Sequence, residues 1–598
     1  MSMICKAKLF TISCLVFACL LRGGAAQAAE VIVPSFQPLR SEVSSLIEQE
    51  MERTGTVGLS IGVIDDQQLV WAEGFGWADK NKKIPATPET VYQLASVTKL
   101  FTVFTAMHLA EQEHLDIDKQ IQEYLPSFSI KTRYPSEGPI TARNIMTHHS
   151  GIPSDYFSID LAKPFNQVTR ALKDQYACYP PNYVFSYSNP GIIVLGDVIS
   201  TIANKPYDQY VREGLLDPLG MNHSFFETEK ERTAPYAKSY DKGKERSVLP
   251  TIGVLPAAGL HSNVPDLTKF VKMIFADGNI EGRQLFRKET IDETLRVQNE
   301  QVPLDGSLRV GLGWMLGDSS IKYAGRVAGH EGHFNGYATN LILLPDYKLG
   351  VIVLANSSEA DKLVAEIATE ILKRTLALKK GLNPTPEKSK TVQKTSISKQ
   401  ALADLSGYYG THLGVINITP GNNKLLARTA DFKVELLPQE DNLFSMQYSV
   451  LGLFRAHLND GTYFSFQNIQ GVNAVKLINN RGVFVIGEKA PKPFLPDEWR
   501  EMAGTYELTG PSSSLSIIPH RIVCKIENQR VIIQMRSPLK EFPDIKTWGF
   551  LIQPLSSTEG TIVGLGRWKG DTIRRDMING LQHIFFAGLE YKQSVDLK

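Results

Sequence analysis

Ser96 and Lys99 stand one helical turn apart in "VYQLASVTKLFTVF", residues 91–104, where a strand-like run passes into an apolar helix. At a helix start, unpaired backbone N–H groups and the macrodipole favour an alkoxide over a hydroxyl. Lys99, one turn on, falls on the same face. The flanking "LFTVFTAMHLA" is apolar nearly all round, so the helix should be buried and carry the amine into a poorly solvated place. Moving a lysine pKa from ~10.4 toward 7 costs about 4 to 5 kcal/mol, at roughly 1.36 per unit. A fold tolerates that mainly for chemistry: a neutral Lys99 can take the proton from Ser96. Alone, the pair also fits a capped helix with a snorkelling lysine.

Order along the chain adds what the pair lacks. "VFSYSNPG" places Tyr187, Ser188 and Asn189 in a loop about 90 residues downstream, and "AGHEGHFNGY" places His330, Gly332 and His333 about 140 further on. Two nearby patterns fail a physical test. "GLSIG", residues 58–62, matches a nucleophile elbow, which needs a strand, a sharp turn and a helix, but here the run continues into a second strand. Ser60 therefore reads as a hairpin residue. "HEGH", residues 330–333, spaces its histidines three apart in a Gly-bounded stretch, whereas a zinc protease needs them four apart on a helix. No metal and no cofactor are expected. His148 and His149 in "MTHHSG" read as capping or packing groups, Trp314 as core, and Pro153 as a turn after a helix.

The elements that must position these groups are partly legible. Ser41 to Arg53 is apolar at helical spacing, and "TVGLSIGVI" and "LVWAEGFGWA" form a hairpin joined at Asp65-Asp66. A long mixed region runs to about residue 320, followed by strands "LILLP" and "LGVIVLAN" and a closing helix near Asp361 to Lys380. Strands at both ends imply one sheet whose edge and centre come from distant sequence. "NPTPEKSKTVQKTSISK", residues 383–399, reads as a linker. Beyond it come short alternating runs with Gly and Asn turns. "LSGYYG" at Leu405 matches "MAGTYE" at Met502, and "RGVFVIGEK" at Arg481 answers "NGLQHIFFAGLEYK" at Asn579. Two β units follow from this, or one larger β domain with accidental similarity.

At 598 residues the chain should divide into several domains, at ~150 residues each. With 64 basic and 63 acidic residues it has no field to hold a phosphate backbone, so nucleic acid is not an expected partner. Lys6 and Lys8, an apolar run from Leu9 to Leu21 and "GGAAQAAE" read as an export signal over residues 1–28, removed on maturation. That run falls well short of the ~20 residues that span a bilayer, so no permanent membrane span is expected. "VFAC", ending at Cys19, faintly resembles a lipoprotein cleavage site, which Phe17 fits poorly. Cys5, Cys14 and Cys19 lie in the signal, leaving Cys178 and Cys524 far apart and no disulfide framework.

At its motifs the chain resembles the serine hydrolases that include class C β-lactamases, penicillin-binding DD-carboxypeptidases, related esterases and D-aminopeptidases. The resemblance spans roughly residues 40–375 and takes in "ITARNIMTHHSGIP", "DPLGMNHSFF", "PAAGLHSNVPDLTKF" and "GLGW". It implies a β-lactamase/transpeptidase-like α/β (α+β) catalytic domain over residues 35–380, an antiparallel sheet flanked by helices. A linker over 381–400 and two small barrel-like, lipocalin-like all-β domains over 401–495 and 496–598 would follow. The family's roles make Ser96 the acylated nucleophile, Lys99 its proton acceptor and Tyr187 a second base and acid whose pKa Lys99 lowers. Asn189 would hold Lys99 and the substrate amide, and the N–H groups of Ser96 and His333 would form the oxyanion hole.

One departure bears on substrate. Many such enzymes carry Lys-Thr-Gly where this chain has His330-Glu331-Gly332. A neutral His and an anionic Glu would favour a substrate carboxylate less, or repel it, unless Glu331 faces solvent. The D-aminopeptidases of the family resemble the whole layout, a catalytic domain followed by two barrels. The expectation is an exported serine hydrolase, periplasmic or secreted, acting through an acyl-enzyme on short peptides, amides or esters, D-amino acid derivatives included. A β-lactamase or DD-carboxypeptidase, and a catalytically idle binding or regulatory protein, are the competing readings. The partner is a small molecule or short peptide, and an oligomer is compatible with the layout.

Overall fold

A computed structural model describes residues 31–228, 236–317, 319–382, 392–450, 454–457, 461–509, 518–536 and 546–594, with the backbone alone given at 319, 448–450 and 454–457. The expected export signal lies outside the described residues, as does 383–391 of the linker stretch.

Helix α1, Gln37–Thr54, buries Leu39, Val43, Ile47 and Met51, a stripe at helical spacing, and begins about a turn earlier than its apolar pattern. The hairpin follows as β1, Gly58–Asp65, and β2, Gln68–Asp79, turning through Asp66 at φ 51°. Helix α2, Thr98–Glu111, is buried without a break from Thr98 to Met107. Helices α3, Asn189–Ala203, and α4, Val264–Phe275, lie in the long central region. Strands β3, Ala328–Phe334, β4, Tyr337–Leu344, and β5, Leu349–Ala355, lead to helix α5, Asp361–Lys380.

The sheet runs β2-β1-β5-β4-β3, extended by Val31–Ile32 beyond β2 and by Met315–Leu316 and Arg309–Val310 beyond β3. Early β1 pairs antiparallel with late β5, Gly62 opposite Ile352, so the centre of the sheet joins the two ends of this region. Side chains alternate between its faces. Ile61, Val63, Ala338, Ile342, Val351 and Val353 pack against Val43 and Ile47 of α1 and Ile367 and Ile371 of α5. Leu341, Leu343, Ile352 and Leu354 meet α2, α3 and α4 on the opposite face, where Phe101 stacks on Phe270 at 4.6 Å. A one-residue slip of β3 would therefore exchange the groups on these faces.

The C-terminal region forms two closed eight-stranded barrels. In the first, Gly407–Thr411 pairs with Gly482–Lys489, and Lys433–Gln439 pairs with Leu443–Val450, which completes the ring and leaves Phe454–His457 as a ninth strand at its side. In the second, Gly504–Leu508 pairs with Leu589–Gln593. Closure leaves no row of unpaired backbone groups in either ring. The duplicated "LSGYYG" and "MAGTYE" occupy matching places. Tyr409 and Tyr506 each donate their hydroxyl to the carbonyl four residues back, Leu405 at 2.7 Å and Met502 at 2.8 Å. Gly407 and Gly504 precede them at φ 141° and 153°, where a side chain is strained. The second match differs in structure: "RGVFVIGEK" makes one strand, while "NGLQHIFFAGLEYK" makes two, Leu581–Phe586 and Leu589–Gln593. Alternating apolar residues look alike on both sides of a tight turn, so the pattern alone does not register the Ala587-Gly588 reversal.

Both barrels dock on the catalytic domain. Val483 of the first accepts from the Ser307 N–H at 2.7 Å. The second receives the Tyr179 hydroxyl on Gly564 O at 2.9 Å, the Cys178 thiol on Asp571 at 2.6 Å and the Phe157 N–H on Ala587 O at 2.8 Å. Cys178 and Cys524 are both free and buried.

Candidate active site

Ser96 is presented by strain and by clamps. Ala95 before it holds φ 48°, a left-handed backbone that costs a non-glycine residue about 1 kcal/mol or more. That kink turns the chain from the strand Tyr92–Gln93 into α2. Leu94 is held on both sides, its N–H donating to Leu260 O at 2.8 Å and its carbonyl accepting from Thr339 Oγ1 at 2.9 Å. Ser60, by contrast, lies within β1 and shares hydrogen bonds with Tyr92 OH and Thr87 O, each at 2.8 Å.

Lys99 is 1% exposed, and its Nζ donates to Ser96 Oγ at 3.0 Å and to Ala257 O at 2.8 Å. Burial pushes the amine well below the ordinary lysine range, the positive charge of Arg567 pushes it further, and Asp155 works against both. The Tyr187 phenol lines the same cavity as Ser96, which acts to lower its pKa. Its ring centroid lies 5.0 Å from Lys99 Nζ and 4.3 Å from the His148 ring. Burial raises this phenol to about 12, with Ser96 and Arg567 offsetting part of the rise. The expected lowering by Lys99 is absent: burial outweighs the relief that Ser96 and Arg567 give, and the phenol moves up rather than down.

Asn189 opens α3, whose N-cap Ser188 accepts from Gly191 N–H at 2.9 Å. Its Nδ2 donates to Asp155 Oδ1 at 2.7 Å, and Lys99 finds its second acceptor in the Ala257 carbonyl rather than in Asn189. His330 is buried on the Ser96 face of the sheet and donates from Nδ1 to Glu331 O at 2.7 Å. Burial, with Lys99 beside it, depresses this imidazole to about 3, so the ring is neutral and Nε2 is an acceptor.

The alternation of β3 decides the neighbouring question. Glu331 pairs with Asn340, which lies between Ala338 and Ile342 on the α1/α5 face, and accepts from its Nδ2 at 3.4 Å. The carboxylate thus stands on the side of the sheet away from Ser96, while Glu331 still borders the wide cavity that contains Ser96. Gly332 is where β3 meets the serine: a Cβ there would sit 3.0 Å from Ser96 N and 2.3 Å from Leu94 O. The His333 imidazole lies on the α5 side, 3.8 Å from Asp361. Its N–H points the other way. Val327 O bonds to Gly317 N at 2.8 Å, so main-chain groups two, four and six residues on face the same edge, which among the described residues has no strand partner beyond Gly329.

Three residues that no motif marked complete the cluster. Asp155, buried just past the Gly151 turn, accepts from Asn189 Nδ2, from Arg567 Nη2 at 2.9 Å and from Trp568 Nε1 at 2.7 Å. Arg567 and Trp568 come from the second barrel, and the Arg567 guanidinium lies 5.3 Å from the Tyr187 centroid. Their only sequence signal is "GLGRWKGD", a Gly-rich stretch with two cations and an aromatic. A cavity of about 1240 Å³ joins Ser96, Tyr187, Asn189, His330, Arg567 and Trp568, with Arg481 and Phe484 of the first barrel also on its wall. Among the described residues no group of His, Cys, Asp and Glu side chains could hold a metal ion.

An antiparallel sheet flanked by helices, with a serine and a buried lysine at the head of the central helix, defines the β-lactamase-like class of serine hydrolases. The β-lactamase family model matches residues 43–375, and the chain belongs to that family. Protein flp of Staphylococcus aureus strain MW2 is 25% identical over 343 residues, 56% of this chain; the chain spans 66% of the length of flp. Penicillin-binding protein 4* of Bacillus subtilis strain 168 is 25% identical over 409 residues, 63% of this chain and 85% of that protein. The octameric penicillin-binding protein homologue of Pyrococcus abyssi aligns at a TM-score of 0.51 and 25% identity over 74% of this chain and 99% of its own. SurE aligns at 0.56 with 21% identity over 76% of this chain and 100% of its own, a likeness of fold alone. Among the described residues no helix is long and apolar enough to cross a membrane.

Proposed function

We propose that the protein is an exported serine hydrolase working through an acyl-enzyme on short peptides, amides or esters, D-amino acid derivatives among them. The observation that carries this reading is the buried Lys99 Nζ at 3.0 Å from the Ser96 hydroxyl, with the Tyr187 ring 5.0 Å from that amine and on the same cavity wall. Neutral Lys99 takes the Ser96 proton as Oγ adds to the substrate carbonyl carbon, and the carbonyl electron pair moves onto oxygen. The N–H groups of Ser96 and His333 receive that oxyanion; one such donor is commonly worth ~100- to 1000-fold in rate. The tetrahedral species then collapses. Tyr187 gives its proton to the departing nitrogen or oxygen and takes one from the Lys99 ammonium, leaving the amine neutral again. Water repeats the sequence on the acyl-enzyme and returns Ser96 as a hydroxyl.

A phenol raised to about 12 suits a relay that hands protons on and never stands as a phenolate. Neutral His330 offers an acceptor at the sheet edge, which favours a substrate N–H there over a carboxylate. The export rests on the charged and apolar N-terminal stretch. A fluorophosphonate probe should label the wild type and not Ser96→Ala; an unlabelled wild type would favour the idle binding protein. Comparing D-Ala-p-nitroanilide with an N-acylated D-Ala-D-Ala peptide then ranks the substrates, faster release from the latter favouring the carboxypeptidase.

A further inference from the structure

We propose that His148 is a positioning residue for the reaction: its imidazole holds the Tyr187 loop so that the phenol meets the leaving group at the scissile bond. The inference rests on the acyl-enzyme reading and adds what keeps its proton donor in place. Phe185, Ser186, Tyr187 and Ser188 belong to no helix or strand, so no ladder or helical bond of their own sets where the phenol lies. A proton relay, by contrast, works only within hydrogen-bond reach of the atom it serves.

The restraint comes from the segment that follows the short helix Ala142–Met146. The His148 N–H donates to Ile145 O at 3.1 Å, and the residue then takes φ 61°, a left-handed turn that histidine adopts more readily than most side chains. That turn sets the buried ring against the loop. The Ser188 N–H donates to His148 Nδ1 at 3.2 Å and the Ser186 N–H to His148 O at 2.9 Å, so the residues on both sides of Tyr187 are bound to one histidine. Between those two bonds the imidazole lies 4.3 Å from the Tyr187 ring, centroid to centroid and tilted by 37°, and it meets Phe185 edge-on at 5.8 Å. Neighbouring bonds tie the loop further back: the Asn182 N–H reaches His149 O at 2.8 Å, and the Phe185 N–H reaches Asp305 at 2.7 Å, itself bound to His149 Nε2 at 2.8 Å. Burial holds the His148 imidazole well below the ordinary histidine range, which leaves Nδ1 without a proton and able to accept. Packing alone would be satisfied by an apolar side chain; the acceptor and the ring face are what the position of the phenol uses.

The test uses the mature full-length chain with the p-nitroanilide and the p-nitrophenyl ester of D-alanine, which share an acyl group and differ at the departing atom. The anilide nitrogen must be protonated to leave, whereas nitrophenolate leaves without a proton, so the ratio of their kcat/KM values reads the acid and not the nucleophile. Tyr187→Phe should cost the anilide about 100-fold or more and the ester far less. His148→Ala should cost the anilide roughly 10- to 100-fold and the ester about 3-fold or less. His148→Asn, which accepts a left-handed backbone and offers an amide oxygen near the place of Nδ1 but no ring, should restore part of the ratio. Added to Tyr187→Phe, His148→Ala should cost the anilide little more, because both changes act through one group. Equal losses on the two substrates, or a full further loss in the double variant, overturn the proposal. Should the Ala variant fail to fold, the Asn variant decides, a lowered ratio supporting the proposal and a wild-type ratio overturning it. A wild type that cleaves neither substrate, or a Tyr187→Phe variant without the bias against the anilide, is a separate failure, of the hydrolase reading itself, and withdraws this inference with it.

Discussion

The two barrels share a plan and differ in what they hand to the cleft. Each begins with a short helix that buries one apolar side chain, Leu402 in the first and Trp499 in the second, then a left-handed glycine and a tyrosine bonded to the carbonyl four residues back. The first barrel touches the cavity with Arg481, Gly482 and Phe484 at its rim. The second sends Gly564 to Asp571 inward, placing Arg567 and Trp568 on Asp155 and the Asp571 carboxylate against Cys178. Barrel strands answer to closure and packing, which one repeated pattern satisfies twice. Loops are free of that constraint, and it is there that two copies of one unit acquire different uses.

The largest effect should come from the core to which both barrels attach, and it sets the scale for the rest. Lys99→Met should abolish acylation of Ser96, by about 1000-fold or more in labelling rate, with Tm unchanged or higher because an awkwardly buried amine is replaced by an apolar chain of similar length. Burial holds the folded amine below its unfolded pKa, so the penalty it imposes is greatest at low pH and fades as pH rises through the unfolded value. Normal labelling in this variant would remove Lys99 from the mechanism.

The contrast between barrels is sharpened one step down. Asp155→Asn should lower kcat/KM by about 10- to 100-fold, since three donors lose their shared anion. It should also move the acid limb of the profile to lower pH, because Asp155 is the group that raises Lys99. Arg481→Ala, on the exposed rim of the first barrel, should stay within about 3-fold of wild type. Equal losses from the two would mean that the barrels contribute alike to the cleft. The smallest effects test what the barrels share: Tyr409→Phe and Tyr506→Phe should each destabilise by about 1 kcal/mol, read from denaturant midpoints. A loss at one alone would mean that the paired hydrogen bonds are not equivalent.

Local pattern was enough wherever one element answers to its own residues. The closing helix spans Asp361–Lys380 as its spacing indicates, the hairpin turns at Asp66, and α2 is apolar all round and buried. Helical geometry likewise brings Lys99 to Ser96, since residues one turn apart share a face. Glu331 shows where this stops. Its neighbours His330 and Gly332 face the serine, and only the pairing of β3 with β4 fixes which members of the alternation do so. The acceptor of Lys99, the Ala257 carbonyl, was likewise invisible, because a backbone oxygen leaves no signature in residue type.

What the amino-acid sequence determined by itself was the meeting of Ser96 and Lys99, the helices and strands that carry them, and a duplicated β unit, all set by spacings of a few residues. Tertiary structure decided the rest of the cleft: that Asp155 holds both Asn189 and Arg567, the latter 412 residues away from it in the chain, and that a barrel loop completes the wall beside Tyr187. The reason is physical. Hydrogen bonding and periodicity act along the chain within a turn or a strand, whereas the charge around a buried amine is the sum of every group that folding brings near it, whatever its place in the sequence.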